Sequence, residues 1–219
     1  MHERVRRIAG LLEEMYGDPP RRREDPLDAL IATVLSQNTS DVNSHRAFAT
    51  LKARFPSWED VRKADVSEVA EAIKSGGLGA IKAARIQRIL ERIYDERGQE
   101  SLEFLRECDI DKAQTYLKSL DGVGPKTAAC VLLFGCERPV FPVDTHVLRI
   151  SKRLGLVAAR AGADAAHDVM ADIVPPELAY SLHVNMIAHG RQRCRPQNPR
   201  CGGCLLTSEC AHWKEKALL

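Results

Sequence analysis

Four cysteines crowd one short stretch near the end of the chain, spaced Cys194-x6-Cys201-x2-Cys204-x5-Cys210. Four thiolates this close together can close a tetrahedral site around a metal centre. Its first part is otherwise basic: Arg191, Arg193, Arg195 and Arg200 fall within residues 191 to 200, with no acid among them. A metal staple that orders an arginine loop points to a polyanion, and so to groups upstream that act on one.

The run Leu120-Asp121-Gly122-Val123-Gly124-Pro125-Lys126-Thr127-Ala128 reads as a tight turn between two helices. Its glycines permit φ > 0. Backbone N–H groups of Gly122, Val123 and Gly124, left bare at the start of the next helix, suit a phosphate oxygen together with the helix dipole. Such a contact reads backbone and not sequence. The glycine pattern alone fits an ordinary corner between helices equally well. Lys126 falls in the first turn of that helix, where the dipole disfavours a cation by roughly 0.3–1 kcal/mol. A neutral amine held there attacks carbonyl-like carbons and forms Schiff bases; otherwise the lysine adds charge to a phosphate site. In Phe141-Pro142-Val143-Asp144-Thr145-His146, Asp144 precedes a helix. It is either the N-cap or, if Thr145 caps instead, a carboxylate free to stabilise an oxocarbenium-like sugar or to accept the amine's proton. His146 stands close enough in sequence to touch a phosphate.

The elements that must position these groups are helical nearly throughout. Asp25-Pro26 is an N-cap followed by proline at the first helical position, and Leu27, Leu30, Ile31, Val34 and Leu35 then lie on one face. Asp65 with Glu68 resembles a capping box, with Gly76-Gly77 ending that helix. From Ile81 to Arg97 the stripe is Ile86, Ile89, Leu90 and Ile93, with Lys82, Arg85, Arg88 and Arg92 placed on the solvent face or a DNA groove. Asp111 is expected to cap a helix ending near Leu120. Further helices are expected over Pro125 to Phe134, Thr145 to Leu154 with Gly155 as the stop, and from Pro175-Pro176 to Gly190. No alternating strand run appears. The expectation is an all-α protein of about ten short helices.

Composition bounds the rest. Hydrophobic residues make up 44% of the chain and aromatics only 5%, so the core must be built mostly from Leu, Ile, Val and Ala. A net charge of +2 says little, whereas clustering of the basic residues says more. The start, Met1-His2-Glu3-Arg4, lacks the apolar stretch of a signal peptide, and no run approaches the roughly 18 apolar residues of a membrane span. These features imply a soluble cytoplasmic protein without a membrane partner, in which clustered cysteines are metal ligands rather than disulfides. Cys108, Cys130 and Cys136 read as packing residues. His167, His183 and His189 read as helix-face or core residues.

Three signatures occur in one order: Leu-x-Gly-x-Gly-x-Lys-Thr-Ala, Val-Asp-Thr-His and the four-cysteine spacing. Together they resemble the endonuclease III family of the helix-hairpin-helix DNA glycosylase superfamily, over essentially the whole chain. The resemblance implies a six-helix barrel domain over residues 20–138. An iron–sulfur cluster domain would comprise residues 1–19 and 139–219, with a DNA cleft between the two. It implies a [4Fe-4S] cluster on Cys194, Cys201, Cys204 and Cys210, with zinc as the runner-up. The cluster would order Arg195 to Arg200 against phosphates.

By the same resemblance the chain is a bifunctional DNA glycosylase and abasic-site lyase. Lys126 is the nucleophile and Asp144 its carboxylate partner. The partner is double-stranded DNA carrying an oxidised pyrimidine or an abasic site, bound by a monomer associated with the nucleoid. The stretch Leu35 to Asp41 corresponds to the loop that fills the hole left by the flipped base, through Gln37 or Asn38. Leu78 is the apolar wedge. Adenine glycosylases of the superfamily carry a glutamate where Ala32 stands, and thymine glycosylases carry a tyrosine in place of Lys126. The 8-oxoguanine branch lacks the cysteine set. The remaining alternatives are a non-catalytic DNA-structure binder and a monofunctional mismatch glycosylase.

Overall fold

A computed structural model of the chain describes residues 1–21 and 23–217. In chain order its α-helices are α1 (His2–Tyr16), α2 (Pro26–Ser36), α3 (Asp41–Arg54), α4 (Trp58–Lys63), α5 (Val66–Ala72) and α6 (Gly79–Arg97). There follow α7 (Ile110–Ser119), α8 (Pro125–Cys130), α9 (Thr145–Leu154), α10 (Ala163–Ile173), α11 (Ala179–Gln192) and α12 (Ala211–Ala217). No strand occurs among the described residues. The chain divides into two compact units, Arg23–Arg138 and Met1–Arg22 with Pro139–Leu219.

In the Arg23–Arg138 unit, α2 starts as its sequence dictates. Asp25 accepts hydrogen bonds from the Leu27 and Asp28 N–H groups, each at 2.9 Å, and Pro26 opens the helix. Leu27, Leu30, Ile31, Val34 and Leu35 are all buried. The capping box lies elsewhere than expected. Asp65 accepts from the Ser67 N–H and the Ser67 hydroxyl, whereas Ser57 and Asp60 exchange both bonds at the start of α4. α5 stops at Ala72, and a 3-10 turn, Lys74–Gly76, carries the backbone on to Gly77. α7 is capped by Asp109 and not Asp111, because Asp109 reaches forward to the Asp111 and Lys112 N–H groups while Asp111 already lies inside the helix. α6 buries Ile86, Ile89, Leu90 and Ile93 as expected, but also Lys82. After α8 the backbone widens into a π-turn, Val131–Gly135. There a side chain on Gly135 would lie 2.7 Å from Pro26 Cα, so the close packing on α2 requires glycine.

In the other unit, α1 buries Val5, Ile8 and Leu12 and packs on α11. α9 starts at Asp144 and ends at Gly155, whose φ of 70° is left-handed. Pro176–Leu178 forms a 3-10 turn before α11, which runs past Gly190 to Gln192. Gly190 is therefore not a stop. Its missing side chain admits His146, whose Nδ1 would otherwise meet a Cβ at 2.6 Å.

Candidate nucleic-acid interface and metal centre

The hairpin before α8 takes its shape from one glycine. Gly122 has φ 69°, and a Cβ there would strike the Arg85 guanidinium, 2.4 Å from Nε. Gly124 is extended, with nothing within 4 Å of where its Cβ would be, so it contributes a bare approach surface rather than a strained backbone. Val123 does not present a free donor. Its side chain is buried and its N–H donates to the Leu120 carbonyl at 3.2 Å, so it supports the turn from within. Lys126 is the second residue of α8, half-buried, beside the exposed Gly124 and Pro125 and the buried Thr127.

The segment after α2 meets this hairpin. Gln37 Nε2 donates to the Gly122 carbonyl at 3.2 Å, and Gln37 Oε1 accepts from Arg85 Nη1 at 3.1 Å. Asn38 is exposed and left-handed at φ 55°. Leu78 is 55% exposed and also left-handed, at φ 53°, immediately ahead of α6. A left-handed non-glycine residue costs roughly 1–2 kcal/mol, and such strain, where packing enforces it, clusters at functional sites. Arg88 and Arg92 lie on the exposed face of α6, as expected, and Arg85 is partly covered. Arg88 pairs with Asp121 and Arg92 Nη1 donates to the Ser119 carbonyl at 2.6 Å, so with Arg85 they hold the hairpin. Lys82 leaves this face altogether and is buried.

In the other unit Asp144 is itself the N-cap of α9, its Oδ1 accepting from the Val147 N–H at 2.7 Å. Thr145 does not replace it and is the first residue of the helix. Two histidines fix the extended segment that delivers Asp144. His183 donates from Nδ1 to the Pro142 carbonyl at 3.0 Å, and the Val143 N–H donates to His167 Nε2 at 3.2 Å. His146 Nδ1 lies 3.1 Å from Arg149 Nη2, and the Gly190 backbone is a second hydrogen-bond partner of the ring. Burial, more than its charged neighbours, holds the His146 imidazole below its ordinary value.

The four cysteines 194, 201, 204 and 210 line one cavity of about 30 Å³, together with Ile150, Leu154 and Leu206. All four are reduced and half-buried. Burial, and then mutual proximity, pushes the Cys204 thiol up; burial does the same at Cys210. α9 grips this segment. Arg153 Nη1 donates to Cys194 Sγ at 3.2 Å and to the Arg195 carbonyl at 2.7 Å, and Arg149 Nε donates to the Cys194 carbonyl at 3.0 Å. His189, read from sequence as a core residue, also lines the cavity, with Nε2 3.9 Å from Cys204 Sγ. Burial lowers its imidazole to about 4. Arg195 and Arg200 are exposed on the loop. Among the described residues no group of three or more His, Cys, Asp or Glu is gathered closely enough to hold a metal ion. The observation that bears on a metal centre is the shared cavity with its four thiols and adjacent guanidinium, a donor set that fits a thiolate-bound iron–sulfur group. By contrast Cys136 is an inert packing thiol, pushed up to about 12 by burial.

A helical unit whose exposed Gly-x-Gly turn opens directly onto a lysine defines a helix-hairpin-helix protein. Residues 31–176 match the family model of the HhH-GPD superfamily of base excision DNA repair proteins. Endonuclease III of Thermotoga maritima is 35% identical over 214 residues, 95% of this chain and 94% of that one. An Arabidopsis thaliana protein with a provisional DNA glycosylase name is 44% identical over 168 residues, and the match spans 77% of this chain but 57% of that protein. Two solved structures of endonuclease III with DNA superpose on it. A non-covalent complex does so with a TM-score of 0.85 at 28% identity, covering 100% of this chain and 99% of that one. A trapped covalent intermediate gives 0.82 at 27% identity, covering 99% of each. The chain belongs to the HhH-GPD superfamily of base excision DNA repair proteins, with endonuclease III among its relatives.

Proposed function

We propose that the chain is a bifunctional DNA glycosylase and abasic-site lyase that excises oxidised pyrimidines from double-stranded DNA. The observation that carries this reading is the place of Lys126, half-buried in the first turn of α8 directly after the exposed hairpin. A covalent intermediate has been trapped for an endonuclease III of the same fold, which supports a nucleophile rather than a phosphate contact at this position.

The target nucleotide leaves the stack, since no side chain reaches C1′ inside a duplex. Lys126 Nζ forms a bond to C1′ as the glycosidic bond breaks, and the base departs with a proton. Ring opening gives a Schiff base. Loss of a C2′ proton then expels the 3′ phosphate by β-elimination. Asp144 keeps one oxygen on its helix cap and offers its charge to the oxocarbenium-like sugar or accepts the amine's proton. Asn38, exposed and left-handed, fills the gap, because Gln37 is engaged by Arg85 and Gly122. Leu78 is the wedge. Gly122, Gly124, His146, Arg195 and Arg200 face phosphates. A [4Fe-4S] cluster on Cys194, Cys201, Cys204 and Cys210 would act as a structural staple for the arginine loop.

Borohydride trapping on a duplex with one abasic site tests the reading. A covalent adduct in the wild type and none in Lys126→Ala is the expected result. Binding without an adduct in either protein would overturn it in favour of a DNA-structure binder or a monofunctional glycosylase.

A further inference from the structure

Lys82 is the least expected residue of the Arg23–Arg138 unit. It is 2% exposed. Its Nζ donates to the Leu35 carbonyl at 2.8 Å and to the Gly76 carbonyl at 2.9 Å, and to no carboxylate among the described residues. Both acceptors lie at helix ends. Leu35 is in the last turn of α2 and Gly76 closes the 3-10 turn ahead of α6. Terminal carbonyls carry partial negative charge, so they solvate an ammonium group that has no counter-ion. Burial nevertheless lowers the Lys82 amine from its ordinary value, a sign that the site is costly for a cation. A position needing only volume would take Met or Leu at lower cost.

Three residues beyond Leu35 stands Asn38, and two beyond Gly76 stands Leu78, both left-handed and both exposed. Gly76 packs tightly on Ala47 and reaches ordinary contact with the end of α2. A Cβ on Gly76 would lie 3.2 Å from Ala47 Cβ and 3.9 Å from the Leu35 oxygen. One ammonium thus donates to the stems of both turns.

We propose that Lys82 is a positioning residue that sets the separation of the Asn38 and Leu78 turns, and through it the extrusion of the target nucleotide. Arg85, one turn further along α6, extends the brace to the hairpin through Gln37. The inference rests on the roles given above to Asn38 and Leu78, and its test separates it from them.

The test compares wild type, Lys82→Met and Lys82→Gln in the full chain. Thermal unfolding establishes that each variant is folded. Unstacking is read from 2-aminopurine placed beside an oxidised pyrimidine in duplex DNA, and excision from single-turnover assays on the same duplex. Borohydride trapping on a single-stranded abasic oligonucleotide, which needs no extrusion, reports the lysine chemistry alone. For Lys82→Met the 2-aminopurine signal should be lost and duplex excision should fall about 100-fold, the scale of a displacement of roughly 1 Å. Single-strand trapping should stay within about twofold on the same argument. Lys82→Gln, which keeps a donor, should lie between, and it carries the test if Lys82→Met does not fold. Wild-type unstacking in a folded variant overturns the proposal, as does an equal loss on both substrates. Failure of the wild type to trap DNA would instead strike the lyase reading and leave the unstacking comparison standing.

Discussion

Asp144 accepts the Val147 N–H at 2.7 Å, so the carboxylate proposed for chemistry is also the cap that starts α9. The two roles separate by substitution, because asparagine caps helices about as well as aspartate. Asp144→Asn should leave the unfolding midpoint nearly unchanged and slow excision by roughly 10²–10⁴-fold, the usual scale of a lost acid–base group. Asp144→Ala should lose the same activity and, in addition, about 1 kcal/mol of stability. Full excision by a stable Asp144→Asn protein would reduce Asp144 to a cap.

Arg153 joins α9 to the cysteine segment by donating to the Cys194 sulfur and to the Arg195 and Pro196 carbonyls. A loaded protein should be brown, with broad absorption near roughly 400 nm. Arg153→Met should leave a protein that loads but loses this colour faster under a chelator. Trypsin should also cut it sooner after Arg200, since the bond after Arg195 precedes Pro196 and resists the protease. A colour half-life equal to wild type would show that the thiols hold the group without Arg153.

Much of this was legible in the sequence, and the reasons for the misses are physical. α2 and α9 begin and end where their caps stand, because Asp25-Pro26, Asp144 and Gly155 act locally. The cysteine spacing and the Gly-x-Gly-x-Lys turn are local as well. Asp109 was missed because Asp111, two residues on, offers the same side chain, and only the direction of the helix decides between them. Gly190 looked like a stop because what it makes room for, His146, lies far away in the chain. Lys82 was placed with the basic face although it falls four residues before Ile86, on the apolar stripe. That register was the available signal, and the two carbonyls that make its burial tolerable come from elsewhere in the chain. His189 is buried, in keeping with its reading as a helix-face or core residue, but the cavity it lines forms only when α11 meets the cysteine segment.

Gln37 and Asn38 are adjacent yet differently engaged, and their substitutions should part accordingly. Gln37→Ala removes the bonds to Gly122 and Arg85. It should loosen the hairpin and weaken binding to undamaged duplex DNA, by a few-fold for one or two lost hydrogen bonds of about 1 kcal/mol each. Asn38→Gly keeps the left-handed turn and deletes only the side chain, so undamaged DNA should bind normally while excision falls. Asn38→Ala adds backbone strain of roughly 1 kcal/mol and should be the less stable of the two. Equilibrium binding and single-turnover excision on the same duplex decide it, and the reverse pattern would make Gln37 the gap-filling residue.

His146 gives a pH dependence with a definite sign. Burial is the main cause that lowers its imidazole from the ordinary 6.5; Arg149 and Arg191 act in the same direction and Asp144 against it. The unfolded chain therefore takes up a proton near 6.5 that the folded chain refuses. Stability is unaffected by this group above that pH and is lost as pH falls through the window below it. His146→Gln cannot titrate, and its amide can still accept from Arg149. Its unfolding free energy should fall less steeply than wild type as pH falls below about 6.5. In the phosphate contact proposed for His146 a neutral ring acts as a hydrogen-bond donor and not as a cation, so the same substitution should weaken DNA binding without changing its salt slope. Denaturant titrations across that pH range, and binding isotherms at several salt concentrations, measure the two effects independently. A salt slope reduced by about one in His146→Gln would show that the imidazole binds DNA charged.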